Sequence, residues 1–142
     1  LEAGTLLYIK NYMFDNGQRK DKFFLILKRV GDSDALLISL PSSKDYVPST
    51  QSNCVEISSA NQTAFIFNAG EIITNTNFSF SVRTYLYGQY ITVKSVDDFN
   101  NDYPQEGRDY EKIGKLKYRI LQQVIDCFKQ SATVKNKIKK IL

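Results

Sequence analysis

The sequence predicts a mainly β, α+β fold: a small barrel or curled sheet over about residues 1–95, followed by a helical extension. Two observations carry this. Short apolar runs separated by turn-forming clusters fill the first 95 residues, and from about 113 onward apolar residues recur at three- and four-residue steps. A third observation divides the chain electrically. Residues 1–107 hold nine Lys/Arg against twelve Asp/Glu, whereas 108–142 hold ten against three, so the overall charge of +4 hides a basic C-terminal segment. The expected organisation is a β domain over 1–95, a linker over 96–107 and a basic amphipathic tail over 108–142.

The elements follow in order. Leu6-Leu7-Tyr8-Ile9 favours a strand that Tyr12-Met13-Phe14 extends. Residues 15–22, rich in Asp, Asn, Gly, Lys and Arg, read as a polar loop. Phe23 to Val30 and Ala35 to Leu40 lie on either side of Gly31-Asp32-Ser33-Asp34, which is the pattern of a β-hairpin. Residues 41–53 carry two prolines and many hydroxyls and read as a long loop, a common place for a functional site. Short strands are expected at Cys54–Ile57, Thr63–Phe67, Glu71–Ile73, Phe78–Ser81 and Val82–Tyr87. The acidic stretch 97–107 reads as a linker with one helical turn. Beyond it Ile113, Leu116, Ile120, Leu121, Val124 and Phe128 form a helical stripe, and Ser131 is placed to cap a second short helix carrying Val134, Ile138 and Leu142.

Composition excludes several chemistries. With no histidine, the chain cannot build Ser-His-Asp or Cys-His nucleophiles or histidine metal sites, so catalysis must use carboxylates, Lys, Arg, Tyr or hydroxyls. Cys54 and Cys127 have no metal spacing and are expected to be two buried thiols. The apolar runs are far shorter than the roughly 18 residues that cross a bilayer, and a cytoplasmic location is expected. No metal and no cofactor are called for.

Because the loops 15–22 and 41–53 flank the same hairpin, they are expected to meet. Arg19, Lys20 and Lys22 would then face Ser42, Ser43, Lys44 and Tyr46, a cationic cluster beside hydroxyls that suits an RNA or DNA phosphate. Tyr85, Tyr87 and Tyr90 beside Arg83 offer either a stacking platform for single-stranded bases or ordinary cross-strand packing. Lys135 and Lys139 on the basic tail add attraction for phosphate.

The order of these features resembles the MazF/PemK-like toxin family over about residues 4–90. The resemblance rests on the opening strand after Gly4, the charged loop, the apolar strand from Phe23, and Leu36-Leu37-Ile38-Ser39-Leu40-Pro41-Ser42-Ser43. It implies an SH3-like barrel and a metal-independent endoribonuclease of a toxin-antitoxin pair. The family places an Arg followed by Pro at the start of the second strand and a Thr or Ser just after the third. Here Lys22-Phe23 stands at the first place, with Arg19 upstream, and Ser42-Ser43 at the second. The resemblance therefore implies Arg19, Lys22 and Ser42 as catalytic residues, while the cationic cluster, the aromatic strand and the basic tail, which lies outside the resemblance, offer Lys20, Ser43, Lys44, Tyr46, Arg83, Lys135 and Lys139 as RNA contacts. The implied partners are RNA, an acidic antitoxin and a second copy in a homodimer. A non-enzymatic module that binds nucleic acid or protein through the basic C-terminal helices is the alternative.

Overall fold

A computed structural model describes residues 1–31, 34–46 and 51–142. The expected turn at 32–33 and the middle of the long loop at 47–50 lie outside the described residues. Among the described residues eight strands form two antiparallel sheets, and the arrangement is not a closed barrel. The larger sheet contains β1 (Thr5–Met13), β2 (Arg19–Val30), β3 (Ala35–Ser39), β7 (Thr92–Ser95) and β8 (Tyr110–Lys115), in the order β7-β3-β2-β1-β8. The smaller contains β4 (Asn53–Ile57), β5 (Gln62–Phe67) and β6 (Thr84–Tyr87), in sequence order. Isolated bridges tie the connections to the sheets: Ser42, after β3, pairs with Tyr85 on β6, and Thr74, between β5 and β6, pairs with Leu116 just after β8.

The hairpin of β2 and β3 forms as expected, with Leu25 opposite Ser39 and Val30 opposite Ala35. Its strands read as near-continuous apolar runs because the larger sheet is covered on both faces. Leu25, Leu27 and Leu37 point into a core shared with Phe65, Leu86, Val124 and Phe128. Their neighbours Phe24, Ile26, Leu36 and Ile38 point the other way, onto Phe99 and Tyr103. Alternation in a strand sends successive side chains to opposite faces, so a strand buried on both needs apolar residues throughout.

Several sequence expectations are corrected. Arg19, Lys20 and Lys22 belong to β2 and not to a loop; the connection from β1 is the tight turn 14–18, in which Phe14 N–H donates to the Gln18 carbonyl and Gly17 adopts φ +85°. Residues 71–73 and 78–81 form no strand. Residues 96–107 are more than a linker, because they contain α1 (Val96–Asp102), capped by the Ser95 hydroxyl on Asp98 N–H, and α1 buries Phe99 completely. The helical reading from 108 gives way first to β8, which pairs with the edge of β1 from Thr5–Lys115 to Ile9–Tyr110. That edge pairs Tyr110, Glu111, Lys112, Gly114 and Lys115, while Ile113 falls at the bulge and its carbonyl accepts from the Thr76 hydroxyl. The helix is α2 (Tyr118–Lys129), with Ile120, Val124, Cys127 and Phe128 buried along one face. A short α3 (Asn136–Lys139) comes next, and Ser131 caps a turn ahead of it by accepting from Thr133 and Val134 N–H.

The two cysteines are not free thiols. Cys54 on β4 and Cys127 on α2 form a disulfide, with Cα atoms 5.5 Å apart. Spacing in sequence gives no sign of this, because 73 residues separate the pair and only the packing of α2 against the smaller sheet brings them together. Among the described residues no helix is long and apolar enough to cross a membrane.

Gly88, in the turn after β6, lies close against the C-terminal segment. A Cβ there would lie 2.6 Å from Val134 Cγ2 and 3.1 Å from the Phe128 ring. Gly88→Ala is therefore expected to cost about 1–3 kcal/mol through overpacking, read as a lower midpoint in urea denaturation; an unchanged midpoint would show that α2 and Val134 yield without cost.

Candidate nucleic-acid interface

β2 extends beyond its pairing with β3, so its first residues run beside the chain that leaves β3 for the smaller sheet. Between them opens a cavity of about 410 Å³. Lys20, Lys22, Ser42, Lys44 and Tyr46 all line it, so five of the expected site residues come together. Side-chain alternation explains which residues face it. Leu40, Ser42 and Lys44 turn into this cavity, whereas Pro41 and Ser43 turn into a second one of about 450 Å³ that also holds Asp21 and Phe23; Lys22 reaches both.

Lys22 is partly buried, and no ion pair found among the described residues involves it, Lys20 or Lys44. Burial, and after it the charges of Lys20 and Lys44, hold its pKa below the ordinary lysine value. Three ammonium groups in one cavity call for an anion. The Lys20 ammonium sits 5.4 Å from the centre of the Phe14 ring, which orients it. Ser42 Oγ accepts from Lys44 N–H at 3.1 Å, leaving its own hydroxyl proton to donate to a ligand.

Tyr87 fixes this wall. Its hydroxyl donates to the Lys44 carbonyl at 2.6 Å and accepts from Tyr46 N–H at 2.8 Å, tying residues 44–46 to β6. Burial is the main cause that raises its pKa, so the phenol keeps the proton it donates. Tyr12, also in the lining, is pushed up to about 12, again chiefly by burial.

The chain matches no family model, no curated protein and no solved structure. The site's own chemistry therefore carries the functional reading.

Other expected site residues lie elsewhere. The Arg19 guanidinium donates to the Asn11 carbonyl at 3.2 Å, supporting the bulge where the β1–β2 register shifts, and it does not line the cavity. Arg83 reaches the Gln51 carbonyl and lies 5.8 Å from the Tyr85 ring centre, outside both cavities. Lys139 Nζ donates to the Ser131 carbonyl at 2.7 Å, holding the turn after α2, while Lys135 is exposed; neither lines the cavity. Of the three tyrosines beside Arg83, Tyr85 and Tyr87 are buried, stacked on each other with ring centres 5.7 Å apart, and only Tyr90 is open to solvent. Tyr46 takes the exposed position beside it.

Asp15 and Gln89, which the sequence does not single out, also line the cavity. Asp15 stands at the turn between β1 and β2 and is the one carboxylate in the lining among the described residues. Two other acids are occupied: Asp21 binds Asn11 N–H and Tyr8, and Glu56 binds Ala132 N–H.

Proposed function

We propose that this chain is an RNA-binding protein of the MazF/PemK toxin type, a metal-independent endoribonuclease acting at the cavity between β2 and residues 40–46. The observation that carries the reading is the gathering of Lys20, Lys22 and Lys44 with the Ser42 hydroxyl around one open cavity, with no ion pair among the described residues to neutralise them. In such a reaction the ribose 2′-hydroxyl attacks the adjacent phosphorus, and the 5′-oxygen of the next nucleotide leaves. Asp15, in the same lining, would accept the 2′-proton. Lys22, made more acidic by burial, is suited to protonate the departing oxygen, and Lys20 and Lys44 to balance the charge on the phosphate. The bridge from Ser42 to β6, which curls the chain from one sheet into the other, supports an SH3-like arrangement.

An acidic antitoxin is the partner this charge distribution suits, since a carboxylate-rich segment would neutralise the same lysines. A homodimer remains part of the family reading. Cleavage of cellular RNA calls for a cytoplasmic location, where the thiol pool would keep Cys54 and Cys127 reduced; the disulfide then forms on exposure to oxidant.

Incubation of the protein with single-stranded RNA in EDTA tests the reading. Cleavage is expected, with Lys22→Ala and Ser42→Ala losing it by about 10²-fold or more and Arg19→Ala close to unchanged because its guanidinium serves the bulge. Intact RNA would overturn the enzyme. If the intact RNA were bound, with binding reduced by Lys135→Ala and Lys137→Ala, the reading favoured would be a module using the exposed basic face around α3.

A further inference from the structure

We propose that the cavity holds one nucleobase against Tyr46 and Tyr90 and reads its edge with Gln89, so that this chain selects the nucleotide whose phosphate its lysines bind. The inference rests on the RNA reading above and assigns the part of the site that chooses the base.

Tyr46 and Tyr90 are 54% and 55% exposed, with centres 6.4 Å apart and planes inclined at 64°. Tyr87 lies beneath both, 5.3 Å from Tyr46 and 6.1 Å from Tyr90, and holds Tyr46 through its backbone. Two exposed rings backed by a buried third offer a flat ligand one ring to stack on and the second ring set edge-on beside it. An inorganic anion would gain nothing from them.

Gln89 adds a second, independent sign. It lines the same cavity, and both its amide nitrogen and its amide oxygen are shut off from solvent without a hydrogen-bond partner among the described residues. Buried amides are seldom left in this state, because each polar atom has lost water and gained nothing. The side chain has three torsions, and turning it into the cavity offers a donor beside an acceptor. A nucleobase edge offers the complement: the amino group and ring nitrogen of adenine pair with such an amide in two parallel hydrogen bonds, and cytosine presents a similar pair on its pairing edge. An apolar ring would satisfy neither amide atom. The phosphate end falls to Lys20, Lys22 and Lys44, and a volume of about 410 Å³ fits within the range of small-ligand sites.

Calorimetric titration of the full chain with the four ribonucleoside 5′-monophosphates and with inorganic phosphate tests the proposal. At least one nucleotide is expected to bind tenfold or more tighter than phosphate. Gln89→Leu should compress the ranking of the four nucleotides by about tenfold, whereas Tyr46→Ala should weaken all four alike. Gln89→Glu, which keeps the shape and replaces the amide donor by an acceptor, is read in the same way if the leucine variant does not fold. Four nucleotides that bind no better than phosphate, or a ranking untouched at Gln89, would overturn the proposal. Cleavage of RNA with no base preference linked to Gln89 would leave the ribonuclease standing and remove this inference. Ranked nucleotide binding with uncut RNA would do the reverse.

Discussion

Lys22→Met is expected to weaken binding of a short single-stranded RNA by tenfold or more while leaving the fold more stable than before. A charge-assisted hydrogen bond to phosphate is worth about 1.5–3 kcal/mol, which sets the size of the binding loss. The gain in stability comes from the same side chain. Lys22 is partly buried between Lys20 and Lys44, and burial first, then those two charges, lower its pKa from the ordinary 10.5. A lysine whose folded pKa lies below its unfolded one opposes folding. Its penalty is full below the folded pKa and is relieved as pH rises from the folded value towards 10.5. The wild-type protein should therefore gain stability across that window relative to Lys22→Met, which has nothing to titrate there. Urea midpoints at several pH values check the sign. The salt dependence of RNA binding should also flatten, by about 0.7 in log–log slope for each phosphate of a single strand that is no longer neutralised. A variant that binds RNA normally, or is less stable at neutral pH, would show that Lys22 packs the wall instead of serving the anion.

Opening the Cys54–Cys127 bond is the second large effect. The bond spans 73 residues, and the entropy of closing a loop of that length in the unfolded chain corresponds to about 4 kcal/mol. It joins an exposed strand position to a helix position that is 6% exposed, so reductant meets it from the Cys54 side. Denaturation with and without dithiothreitol, or of a double Cys54→Ala, Cys127→Ala variant, should show a drop of this order. Since α2 also buries Ile120, Val124 and Phe128, the reduced protein should remain folded and keep the cavity. A shift below about 1 kcal/mol would mean that the unfolded chain is already compact enough for the bond to add little.

How much the sequence discloses depends on how far apart the interacting residues lie. The hairpin of β2 and β3 is legible because its two runs and its turn occupy one short window. The lysine and serine cluster is legible for the same reason, as hairpin geometry carries Lys22 to Ser42. β8 is not, because Tyr-Glu-Lys-Ile-Gly-Lys is a half-exposed edge strand whose apolar residue falls into step with the helical stripe beyond it. Its partner β1 lies about a hundred residues earlier, beyond any periodicity. The disulfide is hidden likewise. Arg19 escapes a sequence reading because it lies on β2 opposite Met13 and its guanidinium serves a bulge that no local pattern announces. Gln89 carries no signal at all, since a glutamine becomes notable only when its amide is buried and unanswered.

Gly88 joins two of these regions. With no side chain there, the turn that presents Gln89 and Tyr90 rests its main chain directly on Val134 and Phe128. The C-terminal segment is thus the anvil behind the site and not a passenger carrying charge. A descendant of this protein could shed its surface lysines one by one and keep a working pocket, but a deletion from Val134 to the C-terminus would take the pocket's backing with it. In a lineage under pressure to shrink, residues 118–134 should be among the last to go.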